Sequence, residues 1–105
     1  MSEPTKIRAT VKGSDGEVRI LIPHVMESGL RRDPSGQLLA AHYITSLILS
    51  LNGRPVIESA LGTAVSANPL FAFQLQGVKV GDKLSVAWLD SKGQKGGAEA
   101  SFSAA

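Results

Sequence analysis

His24, Glu27, Asp33 and His42 are the residues of this chain whose types could do chemistry, because imidazole and carboxylate together suit zinc binding or general acid and base work. Their spacing argues against both. The two histidines stand 18 positions apart, which matches no standard ligand pattern, and the chain has no Cys to complete a structural zinc site. The same absence removes a thiolate nucleophile and any disulfide framework. The expectation is that His24 and His42 sit at loop edges or an interface and hydrogen-bond backbone carbonyls. No catalytic, cofactor-binding or metal-ligating residue is predicted. Ser28, Ser35 and Ser66 lie outside the Gly-x-Ser-x-Gly elbow that exposes a hydrolase serine, so they read as turn residues. Gly93-Gln-Lys-Gly-Gly97 has the glycines of a phosphate loop but not the Walker pattern, and reads as a flexible bend before the last strand.

The elements that position these residues follow from periodicity. Lys6–Lys12 alternates, with Ile7, Ala9 and Val11 on one face and Lys6, Arg8, Thr10 and Lys12 on the other. Gly13-Ser-Asp-Gly16 turns the chain into a returning strand over 17–22, which Pro23 ends. A long loop runs from His24 to about Gln37, with Asp33-Pro-Ser-Gly36 as a reverse turn. A short strand or extended lead-in over 38–42 follows, then strands over 43–51 and 56–61 joined at Asn52-Gly53, a hairpin signal. Leu70–Gln76 sets Phe71, Phe73 and Leu75 toward the core, and the run 83–89 does the same with Leu84, Val86 and Trp88. A weaker strand covers 98–102. About seven strands with frequent turn signals and no helical run predict one all-β domain over 1–105, an immunoglobulin-like antiparallel β-sandwich.

Composition narrows the function. A chain 43% hydrophobic and 19% charged belongs with globular proteins, and its net charge of +2, without a basic stripe, argues against nucleic acid. No apolar run approaches the roughly 18 residues of a membrane span. Leu21 falls opposite Val18, Ile20 and Ile22, and Ile44 and Ile48 fall opposite Leu47, Leu49 and Leu51. Apolar side chains on an outer face mark a partner surface. In the loop, Met26 and Leu30 read as apolar anchors under a polar rim, with Arg31 and Arg32 beside Glu27 and Asp33. The predicted interface is Leu21, His24, Met26, Leu30, Arg31, His42, Ile44 and Ile48.

Taken in order, His24-Val-Met-Glu-Ser-Gly-Leu-Arg-Arg-Asp33, Ala41-His-Tyr-Ile44, Asn52-Gly53, Val65-Ser-Ala-Asn-Pro69, Gly81-Asp82 and Trp88-Leu-Asp90 resemble the SoxZ family over Lys6 to Gly97. Val25, where that family suggests Pro, and Leu70, where it suggests Tyr, depart from it. The resemblance implies a non-enzymatic subunit of the sulfur-carrier complex SoxYZ of thiosulfate oxidation. Its heterodimer partner, SoxY, would carry sulfur intermediates on a cysteine in a C-terminal Gly-Gly-Cys-Gly-Gly arm. It further implies transient docking to other Sox enzymes and a periplasmic location; without SoxY, the apolar interface left open would find another copy, giving a homodimer. The start of the chain shows no signal peptide, so export would occur together with SoxY. The competing readings are a stand-alone immunoglobulin-like binding module and a His-dependent metalloenzyme.

Overall fold

The computed structural model describes residues 5–104, all strands and loops. Eight strands follow in order: β1 Lys6–Lys12, β2 Asp15–Leu21, β3 Ile44–Leu51, β4 Arg54–Ala60, β5 Leu70–Gln76, β6 Lys83–Asp90, β7 Lys95–Ser101 and β8 Ser103–Ala104. They form two four-stranded sheets, ordered β5-β2-β1-β8 and β4-β3-β6-β7. Every pairing is antiparallel except the short contact of β8 with β1. The architecture is a β-sandwich, as the alternating patterns require. No helix among the described residues is long and apolar enough to cross a membrane.

Alternation builds the core. Ala9, Val11, Val18, Ile20 and Ile22 face inward from the first sheet, and Leu47, Leu49, Leu84 and Val86 meet them from the second. Phe71, Phe73, Leu75 and Trp88 are only half-buried but pack against this cluster. Phe102 and Val78 close one end over Gly16, where any Cβ would strike both side chains. Asn52 and Gly53 both take positive φ, 51° and 86°, the backbone a two-residue hairpin turn needs. Pro55 is tolerated in β4 because that strand lies at a sheet edge.

Several expectations need correction. Ile44 is not on an outer face but fully buried. The β3–β6 register shifts between Ile44 and Ser46, so the period of two breaks and Ile44 joins Leu47 in the core. The lead-in over 38–42 forms no strand, only the isolated bridges Glu27↔His42 and Arg32↔Leu38. The glycine stretch after Gly93 is no flexible bend either: Lys95, Gly96 and Gly97 belong to β7 and pair with Leu89, Trp88 and Ala87. A Cβ at Gly96 would run into the Trp88 indole, and one at Gly97 into the Val86 carbonyl oxygen. These glycines allow close approach.

Candidate functional site

Strand ends bring the site together. Pro23 stops β2, and the chain then passes beside the loop before β5, to which Ile22 N–H is tied through the Pro69 carbonyl at 3.1 Å. His24 is held there from every side. Its backbone N–H donates to Asn68 Oδ1 at 3.0 Å, and its carbonyl accepts from Asn68 N–H at 2.8 Å. Asn68 adopts φ 50° to make this clasp, a conformation Asn tolerates better than most residues. Met26 also has positive φ, 49°, which turns its N–H back onto His24 Nδ1 at 3.1 Å. Such strain persists only where the surroundings over-determine it. Here the Met26 side chain is buried, and its sulfur accepts from Ile44 N–H at 3.3 Å.

His42 arrives by backbone pairing. Its N–H and carbonyl exchange hydrogen bonds of 2.8 and 2.7 Å with Glu27, which places both imidazoles at one end of the sandwich. Between them stands Asp90, the last residue of β6, only 2% exposed. Asp90 Oδ1 accepts from Lys92 and Gln94 N–H at 3.0 and 2.8 Å, closing the β6–β7 turn. Asp90 Oδ2 lies 3.1 Å from His24 Nε2 and 2.7 Å from His42 Nε2. The imidazoles meet edge to face at 4.7 Å, and His24 meets Trp88 likewise at 5.6 Å. Trp88 in turn donates its indole N–H to Thr5 Oγ1 at 3.0 Å.

The hydrogen positions follow from these contacts. His24 Nδ1 accepts from Met26, so the ring proton is on Nε2 and is donated to Asp90. His42 Nε2 faces two acceptors, Asp90 Oδ2 and Gln94 Oε1 at 3.2 Å, so it too carries a proton and gives it mainly to the nearer, charged oxygen. Burial, the strongest single influence on Asp90, pushes its carboxyl pKa up. The hydrogen bonds from His24, His42, Gln94 and Lys92 together outweigh burial and lower it to about 2. A carboxylate therefore sits inside the protein with four donors around it.

One polar atom of the cluster is left open. His42 Nε2 is engaged by Asp90 and Gln94, whereas its Nδ1 has no hydrogen-bond partner among the described residues. No buried side-chain nitrogen or oxygen of the described residues lacks a partner, so Nδ1 is reached by solvent. His42 borders a cavity of about 360 Å³, whose wall also includes Pro23, Val25, Asn68, Trp88 and Gln94.

Two imidazoles and a carboxylate with donor atoms within 4.8 Å of one another are the groups a zinc ion takes. The hydrogen bonds around them do not fit one. A histidine bound to metal through Nε2 carries its proton on Nδ1 and donates it outward, whereas His24 Nδ1 meets the Met26 N–H and must accept. The cluster is built as a hydrogen-bonded clasp.

Sequence reasoning placed His24 and His42 at loop edges, which holds for their position but not for their bonds: neither side chain binds a backbone carbonyl. Glu27 and Asp33 stand apart from them. Glu27 pairs with Arg31, whose Nε lies 3.1 and 3.2 Å from its two oxygens, and this bond lowers the Glu27 pKa. Asp33 closes its own turn, accepting from Ser35 and Gln37 N–H at 2.9 and 3.0 Å. Of the predicted interface, His24, Met26 and Ile44 are buried and are not surface anchors. Leu30 is 82% exposed, Arg31 is exposed and His42 is partly exposed. Leu21 and Ile48 are half-buried on the outer faces of different sheets, so the predicted residues form no single patch. Asp90, Asn68 and Gln94 went unassigned. Asp90 heads Asp90-Ser-Lys-Gly93, a run of turn-forming residues, but that pattern signals only the oxygen that closes the turn.

Comparison with known proteins adds the family. The profile of the family described as sulphur oxidation protein SoxZ matches residues 5–101. No curated protein matches the chain in sequence. Among solved structures, superoxide reductase (neelaredoxin) from Ignicoccus hospitalis superposes with a TM-score of 0.64 at 18% identity, covering 99% of this chain and 82% of that one. Superoxide reductase from Nanoarchaeum equitans gives 0.65 at 12% identity, over 95% of this chain and 92% of that one. The hypothetical protein PH1083 from Pyrococcus horikoshii OT3 gives 0.59 at 15% identity, over 95% and 86%. At these identities the likeness is one of fold.

Proposed function

Since the chain belongs to the SoxZ family and has its role in the Sox system of sulfur oxidation, we propose that it is the non-catalytic subunit of a periplasmic sulfur-carrier complex. In this reading it binds a SoxY partner whose C-terminal cysteine holds the sulfur intermediates of thiosulfate oxidation, and is exported with it. The observation that carries the reading is the family match over residues 5–101 of a chain without cysteine: such a subunit cannot hold the substrate covalently and needs a partner that does. The clasp supports it too. His24 has both ring nitrogens engaged within the protein, which suits a structural part more than a turnover site.

A metal-dependent enzyme is the second reading. It is favoured by the proximity of His24, His42 and Asp90 and by a fold shared with superoxide reductases. One preparation separates the two. The tagged chain is purified from the periplasmic fraction of its host, its companions are identified by intact mass, and its metal content is measured. A one-to-one companion with a cysteine-bearing tail and sulfur adducts is expected, with Ile48→Asp testing whether the outer face of β3 is the contact. A lone protein carrying stoichiometric metal would overturn the carrier reading; a lone, metal-free monomer would leave a binding module.

A further inference from the structure

β1 has two edges, and only one is filled. β2 pairs with it along its whole length, whereas on the other side β8 reaches only Thr10 and Val11. β8 ends that sheet, so among the described residues Lys6–Ala9 meet no strand on this side. The pairing tells which backbone groups face the gap. The Ala9 carbonyl accepts from Ser103 Oγ at 3.4 Å and therefore points toward β8. In an antiparallel pair, alternate residues turn their N–H and C=O to the same edge, so those of Ile7 face the gap as well.

The gap is a groove of about 710 Å³ between β1 and the end of β7. Its inner wall is apolar: Ile7 and Ala9 pair with the core residues Ile20 and Val18, and Ala100 with Leu84. Its outer rim is basic. Arg8 stands directly opposite Arg19, both are exposed, and neither belongs to an ion pair among the described residues. Glu17 also borders the groove but stands opposite Thr10, while Lys6 adds an exposed cation at the arginine end. Like charges placed directly across a strand pair destabilise the sheet. A cation on an edge strand is an ordinary guard against aggregation, but β2 has a neighbour on either side, and Arg19 has no edge to guard.

The two features call for one kind of occupant. Open backbone groups take an extended peptide, and unpaired arginines take anions. A second copy of this chain is a poor fit, because β1 against β1 would set Lys6 and Arg8 against like charges. We infer that the free edge of β1 takes up an extended segment of another protein in which acidic and apolar residues alternate. Its backbone extends the ladder from Ile7 and Ala9, in line with β8. Its acidic side chains lie outward beside Arg8 and Arg19, and its apolar ones fill the groove over Ile7 and Ala100. The docking surface uses none of the clasp side chains and does not depend on the carrier reading.

A capped synthetic peptide of alternating Glu and Val is the probe, added to the whole chain and followed by 15N NMR and amide hydrogen exchange. Saturable shifts centred on Lys6–Ala9 are expected, with slower exchange of the Ile7 and Ala9 N–H groups. Affinity should fall about tenfold in Arg8→Glu and should weaken with salt. That variant puts opposite charges across the β1–β2 pair and should fold at least as well as the wild type; Arg19→Ser, which removes a charge without reversing it, is the second variant and should also bind more weakly. N-methylation of the central peptide residue keeps the charge and removes a ladder N–H, so it should weaken binding too. Equal affinity for Arg8→Glu, for the methylated peptide or for a Lys–Val peptide would overturn the inference, as would shifts confined to other strands. A single-stranded oligonucleotide that binds more tightly than the peptide without slowing the Ile7 and Ala9 amides would assign the face to phosphate instead. A dimer of the free chain with those amides already protected would assign the edge to a second copy.

Discussion

β6 begins after one aspartate and ends on another, and the two do different work from the same local role. Asp82 accepts from Lys79 N–H at 2.9 Å and from the Asn52 amide at 3.2 Å, closing the turn into β6 at the surface. The Lys79 N–H, then the Asn52 amide, hold its pKa below the ordinary value. Asp90 closes the turn out of β6 with Oδ1 in the same manner, but its Oδ2 points inward to two imidazoles. A turn aspartate becomes a site when tertiary packing buries its second oxygen and brings it partners from distant loops.

That contrast sets the largest expected effect. Asp90→Ala strands two imidazole N–H groups and two backbone N–H groups, and should lower the unfolding free energy by about 3 kcal/mol or more. For a domain of this size that is a fall of roughly 15 °C in thermal midpoint. Asp82→Ala, in contact with water, should move the midpoint by only a small fraction of that. Equal losses in the two variants would break the comparison. Within the clasp the same logic ranks the histidines. His24→Ala leaves the Met26 N–H unpaired beside a buried side chain and should cost about 2 kcal/mol. His42→Gln keeps a donor for Asp90 and should cost under about 1 kcal/mol, both read from urea unfolding.

Acid sharpens the comparison further. The pKa of Asp90 is depressed from 3.8 to about 2, so its contribution is complete above its unfolded value and is lost as pH falls through the folded one. The stability gap between wild type and Asp90→Asn should therefore be present at about pH 5 and close between roughly pH 4 and 2. Asp82→Asn, made in parallel, should show a much smaller gap throughout. A gap for Asp90→Asn that persists unchanged at the acid end would mean that the carboxylate is not held by the imidazoles.

Legibility in the sequence follows the range of the forces involved. Strands β1 and β5 were readable to the residue, because an alternating run carries its own register. The Asn52-Gly53 hairpin was readable because its backbone conformation depends on those two residues alone. Ile44 was not, since a one-residue shift against β6 reverses its face and leaves no local mark. Gly96 and Gly97 looked like punctuation because a missing Cβ reads the same whether it frees a bend or admits an indole. The site fared likewise. His24 and His42 were visible as chemistry without a partner, and Asp90 as a turn without a site, because the bridge Glu27↔His42 and the Asn68 clasp that unite them are backbone events.

The smallest effect tests whether the loop over 24–42 is held by those backbone bonds or by its charges. Arg31 and Glu27 form the most conspicuous ion pair in it, with the bond raising the Arg31 pKa and lowering that of Glu27. The pair spans i to i+4 on a loop, and the Arg31 side chain is 68% exposed. Exposed pairs contribute little once side-chain entropy and screening by salt are counted. Glu27 reaches His42 only through its N–H and carbonyl, which survive Arg31→Ala unchanged. That variant should therefore keep the wild-type thermal midpoint and the wild-type His42 Nδ1 resonance, at low and at high salt. A displaced resonance with an unchanged midpoint would show that the surface charge reaches the clasp, and the loop would then belong to the site rather than merely carry its histidines.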